Sequence, residues 1–229
     1  MKFLNVHRLA LAGFLSSAAT LSAQTPFQFP TANHALYEVG AELKFLEPTA
    51  PDRSWTTGSF GCVRTDGWQM HEGLDIRSQQ HDRRGEPTDP VLATADGTVM
   101  YVNPKAGLSN YGKYVVIRHV IEGLEIYSLY AHLSEVSTAT GRTVRAGDVI
   151  ATMGRTSNTS EHIGKERAHL HFELNVFVND NFSAWFKKKL PGERNDHGLW
   201  NGQNLDGLDP RDILLAEHNP VKPFSLLTF

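Results

Sequence analysis

Three short clusters in this 229-residue chain carry side chains able to bind a metal ion and move protons. The first is His71-Glu72-Gly73-Leu74-Asp75. Imidazole nitrogen and carboxylate oxygen are both good zinc ligands, and a spacing of four lets both converge on one ion. Gly73 between them suits a bent backbone better than a helix. The second is His169-Leu170-His171-Phe172-Glu173-Leu174. On a strand, residues two apart face the same way, so His169 and His171 share one face while Leu170, Phe172 and Leu174 share the buried one. The third is Tyr127-Ser128-Leu129-Tyr130-Ala131-His132-Leu133, which ends a strong strand pattern on a histidine.

Singly, each cluster also fits a satisfied structural histidine or a solvated polar face. Together they offer two histidines and one aspartate as ligands, which leaves the fourth tetrahedral zinc position open, the pattern of a catalytic site. Two further histidines are then available to move protons and to stabilise an oxyanion.

The elements that must position these groups are short and β-rich. Runs at Val91-Thr94, Thr98-Val102, Tyr114-Val120, Leu124-His132, Asp148-Met153 and Ala168-Phe177 are separated by turn signals such as Asp96-Gly97, Glu122-Gly123 and Gly147-Asp148. Close spacing of many short strands predicts an all-β fold, a compact antiparallel sheet or sandwich with short peripheral helices. Residues 24–65 contain four prolines and read as an N-terminal extension with one short helix near Leu36 to Phe45. Residues 66–178 form the main domain, and 179–229 a C-terminal extension that completes it. Within that extension, Asn181 to Leu190 reads as a short helix and 191–207 as a loop. Asp209-Pro210 opens a last helix through an N-cap followed by proline at the first helical position.

At the N-terminus, Lys2 and Arg8 precede the apolar run Leu9 to Leu15, and small residues follow to Ser22-Ala23. This pattern reads as a signal peptide over 1–23, so the mature protein is expected to be secreted or periplasmic and not stably inserted in a membrane. The net charge is −3, and the chain has no basic run, which excludes nucleic acid as a partner. Cys62 is the only cysteine, so no internal disulfide can form.

The ordered landmarks resemble the lysostaphin-type (LytM-like) zinc metallopeptidases that act on bacterial wall peptides. They run His71-x-Gly-x-Asp75, Pro90-Val91, Ala95-Asp96-Gly97-Thr98-Val99, Tyr111-Gly112 and Val115-Val116-Ile117-x-His119. Tyr130-Ala131-His132-Leu133, Val144-x-x-Gly147 with Ile150, and His169-Leu170-His171-Phe172-Glu173 complete the set. The resemblance implies a groove floored by the sheet and Zn2+ as cofactor. In it His71, Asp75 and His171 hold the metal, His132 and His169 line the catalytic face, and peptidoglycan peptides are the substrate.

Arg155 to Arg167 and 179–207 depart from the family pattern as added segments at the groove rim. His119 is expected to be a hydrogen-bonded structural residue and His162 a loop residue. Two other functions fit an exported chain of this kind: a non-catalytic activator of wall hydrolases, and a protease acting on non-wall proteins. A lipoyl-type carrier module is excluded because no lysine occupies the Val144 to Met153 hairpin. The segment ahead of His71 is also placed to cover the groove in a latent form.

Overall fold

The computed structural model describes residues 26–159, 163–219, 221–222 and 224–229. The expected signal peptide and His162 lie outside the described residues. Twelve strands are described. They are β1 (Val63–Arg64), β2 (Gln69–Met70), β3 (Leu74–Arg77), β4 (Pro90–Leu92), β5 (Gly97–Asn103) and β6 (Lys113–Ile121). Then follow β7 (Leu124–Leu133), β8 (Glu135–Val136), β9 (Thr143–Val144), β10 (Val149–Thr152), β11 (His169–Phe177) and β12 (Leu205–Leu208). Three short helices accompany them: α1 (Glu42–Phe45), α2 (Phe182–Lys189) and α3 (Pro210–Glu217).

The main sheet is antiparallel, ordered β12-β11-β7-β6-β5-β9. Strand β3 also pairs with β11, against His169 to Phe172, while β12 pairs with Leu174 to Phe177. Two strands from distant parts of the chain thus share one edge of β11 end to end. A smaller sheet, β4-β10-β8, lies apart from it, and β1-β2 is an isolated ribbon. The all-β expectation holds, and each of the six predicted strands is found within a few residues of its expected bounds.

The core follows the alternation of β11. Leu170, Phe172 and Leu174 are fully buried and pack with Val99, Val115, Ile117, Ile150 and Met153. The segment before β1 feeds this same core through Phe27, Phe29, Leu36, Phe45 and Leu46. Burial of side chains of this size contributes about 1.5–3 kcal/mol each before entropy is counted. A second apolar cluster lies on the opposite face of the sheet, where Tyr114, Val116, Tyr127, Leu129 and Ala131 meet Leu205, Phe177 and Trp200. That is why β6 and β7 are buried on both faces rather than alternating.

Local expectations hold or shift for identifiable reasons. Asp209 caps α3 by accepting from the Arg211 N–H at 2.9 Å, with Pro210 behind it, as its residue types predict. The single helix expected near Leu36 to Phe45 is two short pieces, a 3-10 turn at Ala35–Tyr37 and α1, with Gly40 at φ +76° between them. The expected loop 191–207 ends in β12, since Leu205 is buried and 205–208 pair with β11. Among the described residues, no helix is long and apolar enough to cross a membrane.

Candidate metal centre

Asp75 and His171 are direct cross-strand partners between β3 and β11, so their side chains leave the sheet on the same side. His71 lies just before β3, where the β1-β2 ribbon continues. Its N–H donates to Cys62 O at 2.8 Å, and its carbonyl accepts from Gly61 N at 2.9 Å. Gly73 makes the approach possible. A Cβ there would stand 2.4 Å from the Phe172 carbonyl oxygen and 2.9 Å from Cγ of Glu173. The glycine of this motif therefore serves close backbone approach to β11.

His132 arrives by a different device. Plain alternation after Tyr130 (core) and Ala131 (opposite face) would aim it into the core. The register between β6 and β7 shifts between Lys113 and Val115, and His132 takes φ +62°. This bulge restores the core side one residue later, at buried Leu133, and swings His132 toward the other histidines. Its ring centroid lies 4.9 Å from that of His169 and 5.9 Å from that of His171. The left-handed backbone costs about 1 kcal/mol, and the Tyr111 and Thr156 carbonyls that clamp the residue hold it there.

The hydrogen bonds on the outer ring nitrogens decide what the inner ones can do. His71 Nδ1 lies 2.8 Å from Ser59 O, His132 Nδ1 2.8 Å from Thr156 O, and His169 Nδ1 2.6 Å from Arg167 O. Carbonyl oxygens only accept, so each of these nitrogens carries the proton and donates. His171 is turned the other way, with Nε2 donating to Glu173 Oε1 at 2.6 Å. In the neutral rings, four bare imidazole lone pairs and a carboxylate then face one spot.

His71 Nε2, His171 Nδ1 and Asp75 Oδ1 form a triangle 3.0 Å on each side. Three acceptors at that distance repel unless a proton is shared between them or a metal cation lies among them. Donors on a tetrahedral zinc ion would stand about 3.3 Å apart, so the residues present fit zinc. His71, Asp75 and His171 are also the group of ligand-type side chains that the described residues bring within 4.8 Å of one another.

Electrostatics agree with the geometry. Burial raises the Asp75 carboxyl, but His169, His71 and the hydrogen bonds with His171 and His71 outweigh it and hold it well below the usual carboxylate range. Burial also opposes charge on His171, yet Asp75 on one nitrogen and Glu173 on the other push the imidazole up to about 9, so the two carboxylates hold a cation at this ring, a proton on Nδ1 where a metal ion would otherwise bind. Burial holds His132 and His169 below the ordinary histidine value.

Several supporting residues were given no role at the site by the sequence reading, although Tyr111 and Glu173 lie inside its motifs. Arg64 donates to Asp75 Oδ2 at 2.7 Å and to Thr57 O at 2.7 Å, leaving Oδ1 to face the histidines. Buried Glu173 also accepts from Tyr111 Oη at 2.8 Å and from Asn175 Nδ2 at 3.0 Å. Burial and Glu173 keep the Tyr111 phenol far above its ordinary value, hence protonated and donating. His197, without a role in the sequence reading, is a buried tie. Its ring nitrogens meet Tyr101 Oη at 2.9 Å and Leu108 O at 3.0 Å. His119 is the structural residue expected, bonded to Asp96 O and Ser128 Oγ at 2.8 and 2.7 Å. Cys62 is a free, half-buried thiol.

Beside the cluster lies an open groove of about 630 Å³. One wall is the β1-β2 ribbon with Trp68 and Met70, and the other is the segment from Arg194 to Gln203. His71, Asp75 and His171 do not line it and are themselves buried. Glu72, next to His71, and Tyr111, whose ring centroid lies 5.4 Å from that of His171, connect the groove to the centre. On the far side, Arg155 holds Glu86 through two bonds of 2.8 and 3.1 Å, and Lys165 holds it at 3.1 Å. These bonds tie the described parts of the Arg155 to Arg167 segment to the 82–86 turn.

Several known proteins are similar in sequence to part of this chain. DD-carboxypeptidase/endopeptidase Mpg of Neisseria meningitidis is 38% identical over 109 residues, 48% of this chain and 21% of that protein. An uncharacterized metalloprotease of Haemophilus influenzae is 35% identical over 158 residues, 69% of this chain and 28% of its own length. Murein hydrolase activator NlpD of Salmonella dublin is 36% identical over 126 residues, 55% of this chain and 29% of that protein. The matched stretch is thus less than a third of each relative. The family described as Peptidase family M23 matches residues 69–183, half of the chain and the span from the ribbon to the start of α2. The chain belongs to peptidase family M23, in agreement with the lysostaphin-type resemblance of its motifs.

Proposed function

We propose that this chain is an exported zinc-dependent endopeptidase that hydrolyses peptide bonds in the stem or cross-bridge peptides of peptidoglycan. His71, Asp75 and His171 hold the metal in this reading. The observation that carries it is the 3.0 Å triangle of His71 Nε2, His171 Nδ1 and Asp75 Oδ1, in which each imidazole is held on its other nitrogen by an acceptor, Ser59 O or Glu173 Oε1.

Zinc bound there would polarise a substrate carbonyl and lower the pKa of a bound water to about 7. The protein's own part is to hold and move protons. His132 and His169 present Nε2 lone pairs toward the triangle while their Nδ1 protons are committed to carbonyls. Each can accept a proton from the attacking water, pass it to the departing amine, and in its protonated form donate to the developing oxyanion. Burial of all three donors excludes bulk water and strengthens these interactions.

Metal analysis of the purified protein, paired with digestion of whole peptidoglycan and mass analysis of the fragments, tests the proposal. About one zinc per chain with new peptide termini is the expected result. Zinc binding with no new termini in wall material, but cleavage of a Gly-rich protein, would replace the wall substrate with a protein one. A second reading, an activator of other wall hydrolases, is favoured by the likeness to NlpD. The full donor set argues for catalysis instead. Stimulation of a partner hydrolase by zinc-free protein that itself cuts nothing would reverse that choice.

A further inference from the structure

A side chain from outside β6 and β7 holds open the bulge that turns His132 toward the metal ligands. Lys113 pairs with Leu133 and Val115 with Tyr130, so β7 carries one residue more than β6 across this step. The Thr156 hydroxyl stands between the partners Lys113 and Leu133. It accepts from the Lys113 N–H at 3.0 Å and donates to the Leu133 carbonyl at 2.9 Å, and one hydroxyl has the proton and the lone pairs for both bonds. Without it, that N–H and that carbonyl are free to close on each other directly, which would draw the two strands together and flatten the bulge. The backbone of Thr156 is committed to the same place. Its carbonyl accepts from His132 Nδ1 at 2.8 Å, and its N–H donates to the His132 carbonyl at 3.4 Å. Two glycines make room for it: a Cβ at Gly112 would run into the Thr156 carbonyl, and one at Gly154 into the backbone of His132 to Ser134. Arg155, the residue before it, is anchored independently by Glu86 and the Ile163 carbonyl.

We propose that Thr156 is a positioning residue, whose hydroxyl fixes the bulge so that its carbonyl meets His132 Nδ1 and the Nε2 lone pair faces the metal triangle. It acts through His132 and touches no reacting atom itself. The inference rests on the peptidase reading, in which His132 moves protons. A reacting group displaced by about 1 Å loses about 100-fold in rate, so a hydroxyl that fixes this ring in place is felt in kcat. A threonine whose hydroxyl only stitched two strands together would affect stability and leave the ring unmoved.

Two variants separate the hydroxyl from the shape. Thr156→Val keeps the branched side chain and removes the hydroxyl, and Thr156→Ser keeps the hydroxyl and removes a methyl group. Both are compared with the unaltered full-length protein, zinc-loaded, on a synthetic cross-linked stem peptide, with zinc content measured alongside. NMR of isotope-labelled histidines reads the His132 Nδ1 proton, identified by its absence in His132→Ala. Thr156→Val should lower kcat about 10–100-fold with KM and zinc content unchanged, and should shift or erase that proton signal. Thr156→Ser should restore both. A Thr156→Val protein with unchanged kcat and an unchanged proton signal would overturn the proposal. So would a change confined to KM, a loss of zinc, or a Thr156→Ser protein as impaired as Thr156→Val. If the unaltered protein cuts no peptide while the signal follows the hydroxyl across the variants, the positioning role stands and the peptidase reading falls. If peptide is cut and the signal is indifferent to the hydroxyl, the peptidase reading stands and the positioning role falls.

Discussion

Proton bookkeeping around the four histidines shows how residue types too common to be diagnostic become a site. Each imidazole is oriented by a partner on its outer nitrogen, and those partners are three backbone carbonyls and one carboxylate. Removing a ligand and removing a proton carrier should therefore have different signatures. His171→Ala or Asp75→Ala should abolish stoichiometric zinc and hydrolysis together. His169→Ala or His132→Ala should keep the zinc but lower kcat by roughly 10²–10⁴. Metal analysis beside single-turnover cleavage separates the cases, and a His169→Ala protein without zinc would contradict the assignment. Glu173→Gln keeps the shape but removes the charge that orients His171, so zinc affinity should fall about 10–100-fold. Tyr111→Phe leaves that carboxylate in place and should cost less. Competition with a chelator of known affinity reads both, and unchanged affinity in Glu173→Gln would show that Asn175 and packing alone position the ring.

Element by element, the site depends on two irregularities. Close contact between the 71–75 segment and β11 requires a glycine at 73. Gly73→Ala would press a methyl group against the Phe172 carbonyl, displace β3, and cost about 1–3 kcal/mol. Denaturant unfolding should show that loss, and zinc affinity should fall with it because Asp75 rides on β3. A stable Gly73→Ala protein with full zinc affinity would mean that the strands slide freely, contrary to the tight pairing described. The bulge at His132 is the second irregularity. It is also where strand alternation misleads, since counting from Tyr130 sends His132 into the core.

Across the whole molecule, the N-terminal segment, the C-terminal helix and the central sheet form one core. Phe45 and Leu46 are fully buried, Ser59 orients His71, and Arg64 braces Asp75. Deleting residues 24–65 would therefore remove core and site support together, and it cannot test latency by itself. One titrating contact joins the chain ends: Glu217 on α3 accepts from the Phe27 N–H at 3.0 Å. Burial raises the Glu217 carboxyl from 4.5 to about 7. Because its folded value lies above the unfolded one, the neutral form stabilises the protein fully below about pH 4.5. That contribution is lost as pH rises through about 7, where charge must be buried. Glu217→Gln keeps an acceptor for Phe27 and cannot ionise. Its stability relative to the parent protein should rise between pH 5 and pH 8 in thermal unfolding. An offset that stays constant with pH would rule out Glu217 as the titrating group.

The sequence by itself determined the strand content, the Asp209-Pro210 helix start, the family, and which side chains were worth following. Hydrophobic alternation, turn residues and ordered motifs are local signals, and His71, Asp75, His132, His169 and His171 lie within them. Tertiary structure alone decided which groups serve those five. Arg64, Ser59, Tyr111, Thr156 and the Arg167 carbonyl reach the site from separate turns and strands, and no spacing in the chain encodes that meeting. It also decided that 191–204 covers the sheet rather than trailing from it, through His197 and Trp200 packed on the tyrosines of β5 and β6. The reason is physical. Periodicity reports which face of an element is apolar, whereas the partner that covers that face is chosen by the long-range closure of the whole chain.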